Sequence, residues 1–161
     1  MAVIFDEEMI RQMEKVYGEL KEKCIAIFEK GRSVNVSEVA TALMDTEGVP
    51  MHFPYHHFII PAALLIAVAR IKGDEKGDVA RMLDKALERS KEVPGGSCGN
   101  FGACGACVGA GIFVSVYTEA TPMSGKVWGW ANEITGRCLV ALSKHNGPRC
   151  CKRAVFTVIE E

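Results

Sequence analysis

The chain has 161 residues, enough for one substantial hydrophobic core and short for two, and its 48% apolar content belongs to a folded globular protein rather than a disordered one. Nineteen basic against 20 acidic residues leave a formal charge of -1, which gives no reason to expect nucleic acid or a charged membrane as partner. Seven cysteines, an odd number, cannot all pair in an extracellular disulfide scaffold, so a reducing, cytoplasmic setting fits better.

No run approaches the roughly 18 continuous apolar residues of a membrane span. Asp6, Glu7 and Glu8 precede any basic residue, so the start does not read as a secretory signal. Residues 5–30 read as an amphipathic helix, with Phe5, Met9, Met13, Val16, Tyr17, Leu20, Cys24, Ile27 and Phe28 along one face. Cys24 in that stripe reads as a small buried thiol. Gly31-Arg32-Ser33 breaks the pattern. Asn35 with Glu38 forms a capping-box signal for a short helix burying Val36, Val39, Ala40 and Leu43, which Glu47-Gly48-Val49-Pro50 ends.

The segment 51–58 carries His52, His56 and His57 and leads into Ile59–Ala69, apolar nearly all round and expected as a buried helix with Pro61 in its first turn. A polar turn at 71–78 precedes an amphipathic helix at 78–91 with Val79, Met82, Leu83, Ala86 and Leu87 inward. Residues 93–102, with Pro94, Gly95, Gly96, Gly99 and Gly102, read as a loop whose backbone can approach a ligand. Residues 103–118 read as a central helix; Gly105/Gly109 and Ala106/Ala110 give it small faces that let another helix or a cofactor come close. Thr121-Pro122 marks the next helix start, and Val127, Ala131, Ile134, Cys138 and Leu142 share its stripe through 123–144; Trp128 and Trp130 read as packing residues. Asn146-Gly147-Pro148 closes it. The tail from Arg149 has β-branched residues but no partner strand, and a final helix is expected. The fold expected is therefore all-α, a single domain over 1–161, a compact bundle of about six or seven helices with a glycine-rich cysteine loop.

The chemistry centres on cysteines. Cys104 and Cys107 form a C-x-x-C pair at a helix start, where backbone N–H groups and the helix dipole stabilise thiolates. Cys98 lies in the loop just before, and Cys150 or Cys151 can supply a fourth sulfur. Arg149, Lys152 and Arg153 around the vicinal cysteines would lower thiol pKa values, offset the charge of a thiolate-bound cluster or hold a small anionic substrate; alternatively they only solvate a helix end. C-x-x-C alone occurs in zinc, redox and iron–sulfur sites, and the vicinal pair is poorly shaped to chelate one tetrahedral ion. His52 and His56 share a face if the helix reaches back to 52, which Pro54 argues against; His56 or His57 could move a proton near neutral pH. Tyr55 is a hydroxyl near these histidines, and His145 reads as a surface residue at a helix end.

Three segments carry a family likeness: His52-x-Pro54-x-His56-His57-x3-Pro61-Ala62-Ala63-Leu64, Pro94-Gly95-Gly96-x-Cys98-Gly99-x-x-Gly102-x-Cys104-Gly105-Ala106, and Gly147-Pro148-Arg149-Cys150-Cys151-Lys152-Arg153. With Gly111-Ile112-Phe113-Val114-Ser115 and Ala120-Thr121-Pro122 between them, the chain resembles the DUF5714 family over about residues 45–155. Its members are uncharacterised bacterial and archaeal domains, some attached to radical-SAM or methyltransferase-like proteins. The resemblance implies that the histidines, the cysteine loop and the vicinal cysteines belong to one site. It also implies that Cys107, often alanine in relatives, is less central than Cys98, Cys104, Cys150 and Cys151.

The function expected is metal or iron–sulfur binding with a redox or sulfur-transfer role. Cys98, Cys104, Cys107 and Cys150 are the candidate ligands of an iron–sulfur cluster or zinc. His56, His57 and Cys151 are the candidate catalytic groups, and Gly95, Gly96, Gly99, Arg149, Lys152 and Arg153 the candidate cofactor-binding groups. The alternatives are a small metal-dependent lyase or transferase, a thiol-only enzyme, and a non-catalytic accessory module for a methyltransferase or radical enzyme. Whether the domain is catalytic, and whether it forms an oligomer, stays open.

Overall fold

A computed structural model describes residues 6–31 and 35–161. Among these residues there are eight α-helices and no strand: α1 (Glu7–Glu29), α2 (Val36–Met44), α3 (Tyr55–Lys72), α4 (Lys76–Lys91), α5 (Ser97–Asn100), α6 (Gly105–Tyr117), α7 (Lys126–Ser143) and α8 (Cys151–Glu160). The all-α expectation holds. The extra helix is α5, a single turn inside the segment expected to be a loop. Phe5, Arg32 and Ser33, part of the expected α1 pattern and its terminator, lie outside the described residues.

α1 buries Val16, Tyr17, Leu20, Cys24 and Phe28 along the expected face, and Asp6 caps it by accepting from the Met9 N–H at 2.8 Å. α2 starts as its sequence signals. The Asn35 carboxamide accepts from the Ser37 N–H at 2.8 Å and the Glu38 N–H at 3.4 Å, filling two of the donors a helix start leaves open.

α3 is the centre of the bundle. Phe58, Ile59, Ile60, Leu65 and Ile66 have no exposure at all, and α1, α2, α4, α6 and α8 surround the helix. It is also the one described helix long and apolar enough to cross a membrane, and, as expected of Ile59–Ala69, most of it is buried inside the bundle. It begins at Tyr55, several residues before its expected start, so Pro61 falls inside the helix rather than in its first turn. Pro61 has no N–H to give the His57 carbonyl. The buried Ser90 hydroxyl on α4 donates to that carbonyl instead, at 3.2 Å.

α6 packs most extensively on α3 and α7, and its glycines make this possible. A methyl group on Gly105 would overlap the His57 imidazole. One on Gly109 would lie 2.8 Å from the His57 carbonyl oxygen and 3.0 Å from Pro61 Cδ. One on Gly111 would strike the Thr135 hydroxyl and come within 2.9 Å of the Ala131 carbonyl. The Gly105/Gly109 face seen in the sequence is thus the seam against α3, and Gly111, outside the faces read there, makes the seam against α7.

α7 departs furthest from expectation. It starts at Lys126, because Thr121 to Ser124 close a turn of their own in which the Ser124 hydroxyl accepts from the Thr121 N–H at 2.9 Å. Only Cys138 of the expected stripe is fully buried. Trp128 and Trp130, expected to pack, are 52% and 44% exposed because α7 lies at the edge of the bundle. The tail forms α8, a helix as expected.

Candidate functional site

Helices α3, α6 and α8 all begin at one place. Of the residues entering them, 52–57, 104–106 and 149–151, all but Tyr55 and Cys150 line a cavity of about 160 Å3 together with Gly95, Gly96, Ser97, Cys98 and Ala154. A second cavity of about 140 Å3 adjoins it, bounded by His145, Asn146, Gly147, Cys150 and Arg153. Cys98, Cys104, Arg149, Cys151 and Ala154 line both, so three thiols form a shared wall. No aspartate or glutamate is among the residues lining either cavity. Three helix N-termini and the Arg149 guanidinium therefore set a positive field at the sulfurs.

The cysteine segment is held by Ser97. Gly96, at φ +85°, turns the chain into α5, a conformation that favours glycine. The buried Ser97 hydroxyl then donates to the Ala103 carbonyl at 2.6 Å, while the Ala103 N–H returns to the Ser97 carbonyl at 3.3 Å. This closed ring brings Cys98 and Cys104 to the same wall. Gly95 and Gly96 line the cavity, whereas Gly99 does not.

Cys104 is the N-cap of α6, half-buried at the cavity, and Cys107 sits one turn in with no exposure. The Cys107 thiol, followed by the Cys107 and Ala106 backbone N–H groups, pulls the Cys104 thiol well below its ordinary range, against the opposing effect of burial. No regular capping hydrogen bond forms at Cys104, so these N–H groups act through their direction and field. Cys107 is shifted far upward, first by its interaction with the Cys104 sulfur and then by burial. The two sulfurs of the pair thus shift in opposite directions, Cys104 down and Cys107 up.

The vicinal cysteines divide differently. Cys150 is the N-cap of α8, its sulfur accepting from the Arg153 N–H at 3.4 Å, and it lines only the second cavity. Cys151 enters the shared wall. Burial raises its pKa, which the Phe53 backbone and Arg149 oppose and the Cys104 and Cys98 sulfurs reinforce. The sequence expectation that the surrounding cations lower the vicinal thiols is therefore corrected for Cys151: desolvation outweighs them, and the acidic thiol is Cys104. Lys152 points away toward Asp45, 3.9 Å distant. Arg153 donates to the Asn146 and Pro148 carbonyls, both at 3.1 Å, and holds the turn that includes the cis Gly147–Pro148 peptide.

The histidines lie in the first turn of α3. His52 is outside the helix, so it does not share a helical face with His56. The His56 Nδ1–H donates to the Phe53 carbonyl at 2.9 Å, which assigns the lone pair to Nε2, a buried atom with no partner. His57 Nδ1 is likewise buried and unpartnered. Burial lowers both imidazoles, His57 to about 4; the nearby Val93 backbone opposes part of that shift without reaching hydrogen-bond geometry at Nδ1. Both side chains line the cavity as neutral bases. Tyr55 instead packs edge-on against Tyr17 in the core, ring centroids 4.9 Å apart. His145 is exposed, as its sequence reading expected, and it also lines the second cavity with Nε2 3.1 Å from the Thr157 hydroxyl. No local pattern announced its place at that cavity, which depends on how α8 returns along α7.

All seven cysteines are free thiols. Among the described residues, no group of three or more His, Cys, Asp or Glu side chains is arranged to hold a metal ion. These residues sit in the segments whose order along the chain carried the family likeness, and the family model matches residues 24–161. The chain belongs to the DUF5714 family. That family is described as one of unknown function, so membership in DUF5714 brings no activity with it. No curated protein and no solved structure matches the chain.

Proposed function

We propose that the domain carries a thiol-based redox or sulfur-transfer site in which Cys104 is the reacting thiolate and Cys107 its resolving thiol. The observation that supports this reading is the arrangement at the start of α6: a cavity-lining cysteine at the helix N-cap and a fully buried cysteine one turn in, at its side. The step balances within the pair and one disulfide substrate. The Cys104 thiolate attacks one sulfur of the substrate, forming a mixed disulfide and releasing the other half as a thiolate. Cys107, losing its proton, then attacks the Cys104 sulfur and releases the second half. Two electrons pass to the substrate and Cys104–Cys107 becomes a disulfide. Cys98 and Cys151, on the same wall, are the thiols to which an oxidised Cys104 has access.

The test is equilibration of the protein in mixtures of a small dithiol and its disulfide, followed by peptide mapping of the paired cysteines. A Cys104–Cys107 disulfide that forms and reverses, and a mixed disulfide that accumulates on Cys104 in Cys107→Ser, support the reading. Persistence of both as thiols under oxidising conditions, with other cysteines pairing, overturns it.

A second reading has its own observation. His56 gives its Nδ1–H to a backbone carbonyl and presents a buried Nε2 lone pair, the tautomer of a metal-binding imidazole. With Cys98, Cys104 and Cys151 this donor set suits iron, an iron–sulfur cluster or zinc, once the side chains draw together. Anaerobic purification with iron, zinc and acid-labile sulfide quantified per chain decides it: stoichiometric metal favours this reading, and none after reconstitution removes it.

A further inference from the structure

Of the three cations grouped around the vicinal cysteines, Arg149 differs from its neighbours. Lys152 faces Asp45, and Arg153, which lines only the second cavity, gives one terminal nitrogen to two carbonyls of the 146–148 turn and keeps a buried, unpartnered Nε. Arg149 has no carboxylate among the residues lining either cavity, yet it lines both and stands at the wall that holds Cys98, Cys104 and Cys151. Three helix N-termini open beside it, of which α3, α6 and α8 each run eight residues or more. Two buried side chains on the cavity wall, His56 and His57, each carry a ring nitrogen with no hydrogen-bond partner, and they are 1% and 8% exposed. A buried polar atom without a partner costs free energy unless something completes it.

We infer that the paired cavities bind a small anionic sulfur compound, its acid group against Arg149 and its sulfur at Cys104, with an N–H, O–H or S–H of the ligand completing His56 Nε2. The class is a low-molecular-weight thiol or disulfide bearing a carboxylate or sulfonate. This deepens the thiol reading and rests on it. Size supports the choice: cavities of about 160 and 140 Å3 are small beside the roughly 300–1,000 Å3 of drug-sized sites. Charge supports it too, since an anion meets no carboxylate there and a cationic thiol would meet Arg149. The His56 tautomer favours a ligand that also donates, because Nε2 is an acceptor.

The test measures alkylation of Cys104, resolved by mass spectrometry, with iodoacetate and with uncharged iodoacetamide. The ratio of the two rates cancels any change in ionisation of the thiol, since both reagents meet the same thiolate. The ratio in the folded protein is expected to exceed that of the denatured chain, and Arg149→Gln is expected to lower it by roughly three- to fivefold, the scale of a solvent-accessible charge pair. Added salt should lower it further. A folded-state ratio equal to that of the denatured chain, or one that Arg149→Gln leaves unchanged, overturns the anion inference while leaving Cys104 as the thiolate. Failure of both reagents to label Cys104 overturns the thiol reading itself and the inference with it.

Discussion

The Ser90 hydroxyl on α4 donates at 3.2 Å to the carbonyl of His57 on α3, the carbonyl that Pro61 leaves without an intrahelical partner. This bond ties the helix bearing both cavity histidines to α4, and it lets a proline sit inside a fully buried helix. The same carbonyl borders Gly109, so α3, α4 and α6 meet at one peptide.

Ser90→Ala removes the donor and leaves a buried acceptor. The loss of stability expected is about 1 to 3 kcal/mol, read as a lower denaturant midpoint with unchanged slope. A midpoint equal to that of the parent would show that water reaches the carbonyl.

Gly105→Ala places a methyl group into the His57 ring, whereas Gly136 on α7 has nothing within 4 Å of its added carbon. Gly105→Ala should destabilise by about 1 to 3 kcal/mol through overpacking. Gly136→Ala should stabilise by up to about 1 kcal/mol through helix propensity. Thermal unfolding of the two variants checks the opposite signs.

Acidification should weaken the fold. The folded-state pKa of His57 is lowered from 6.5 to about 4, so the unfolded chain binds the proton first. Stability is then complete above about 6.5 and falls as pH drops toward 4, at up to about 1.4 kcal/mol per pH unit from this group, with His56 shifted in the same direction. Denaturation at a series of pH values, with NMR titration of the imidazole signals, checks it; a His57 signal that titrates near 6.5 would contradict the buried, neutral ring.

Replacing Cys107 has a directional effect on Cys104. Cys107 is the largest contribution to the lowered pKa of Cys104, so Cys107→Ala should raise the Cys104 pKa and slow its alkylation near neutrality. Cys138→Ala removes a fully buried thiol in α7 and should act on stability instead. Site-resolved alkylation rates and unfolding curves separate the two effects.

Much of the fold could be read in the chain because its signals are local. The Asn35 cap, the α1 stripe and the small faces of α6 each depend on residues a few positions apart. What could not be read depends on distant partners. The early start of α3 was masked by Pro54 and Pro61, and the Ser90 hydroxyl that satisfies the open carbonyl lies on another helix. The exposure of Trp128 and Trp130 follows from the edge position of α7, which periodicity does not encode. At the site, the cysteine and histidine segments were named, and residues from each of them border one cavity. The downward shift of Cys104 agrees with its place at a helix start, whereas that of Cys151 was misjudged, because adjacent cations are visible in a sequence while desolvation is not.

The central claim, that Cys104 is the reacting thiolate, is tested most directly by the pH dependence of its alkylation in the folded protein and in the same chain denatured. The account predicts that Cys104 reaches its full rate at a clearly lower pH in the folded protein than in the denatured chain, where thiols titrate near about 8.5. A folded-state profile that matches or lies above the denatured one would contradict it.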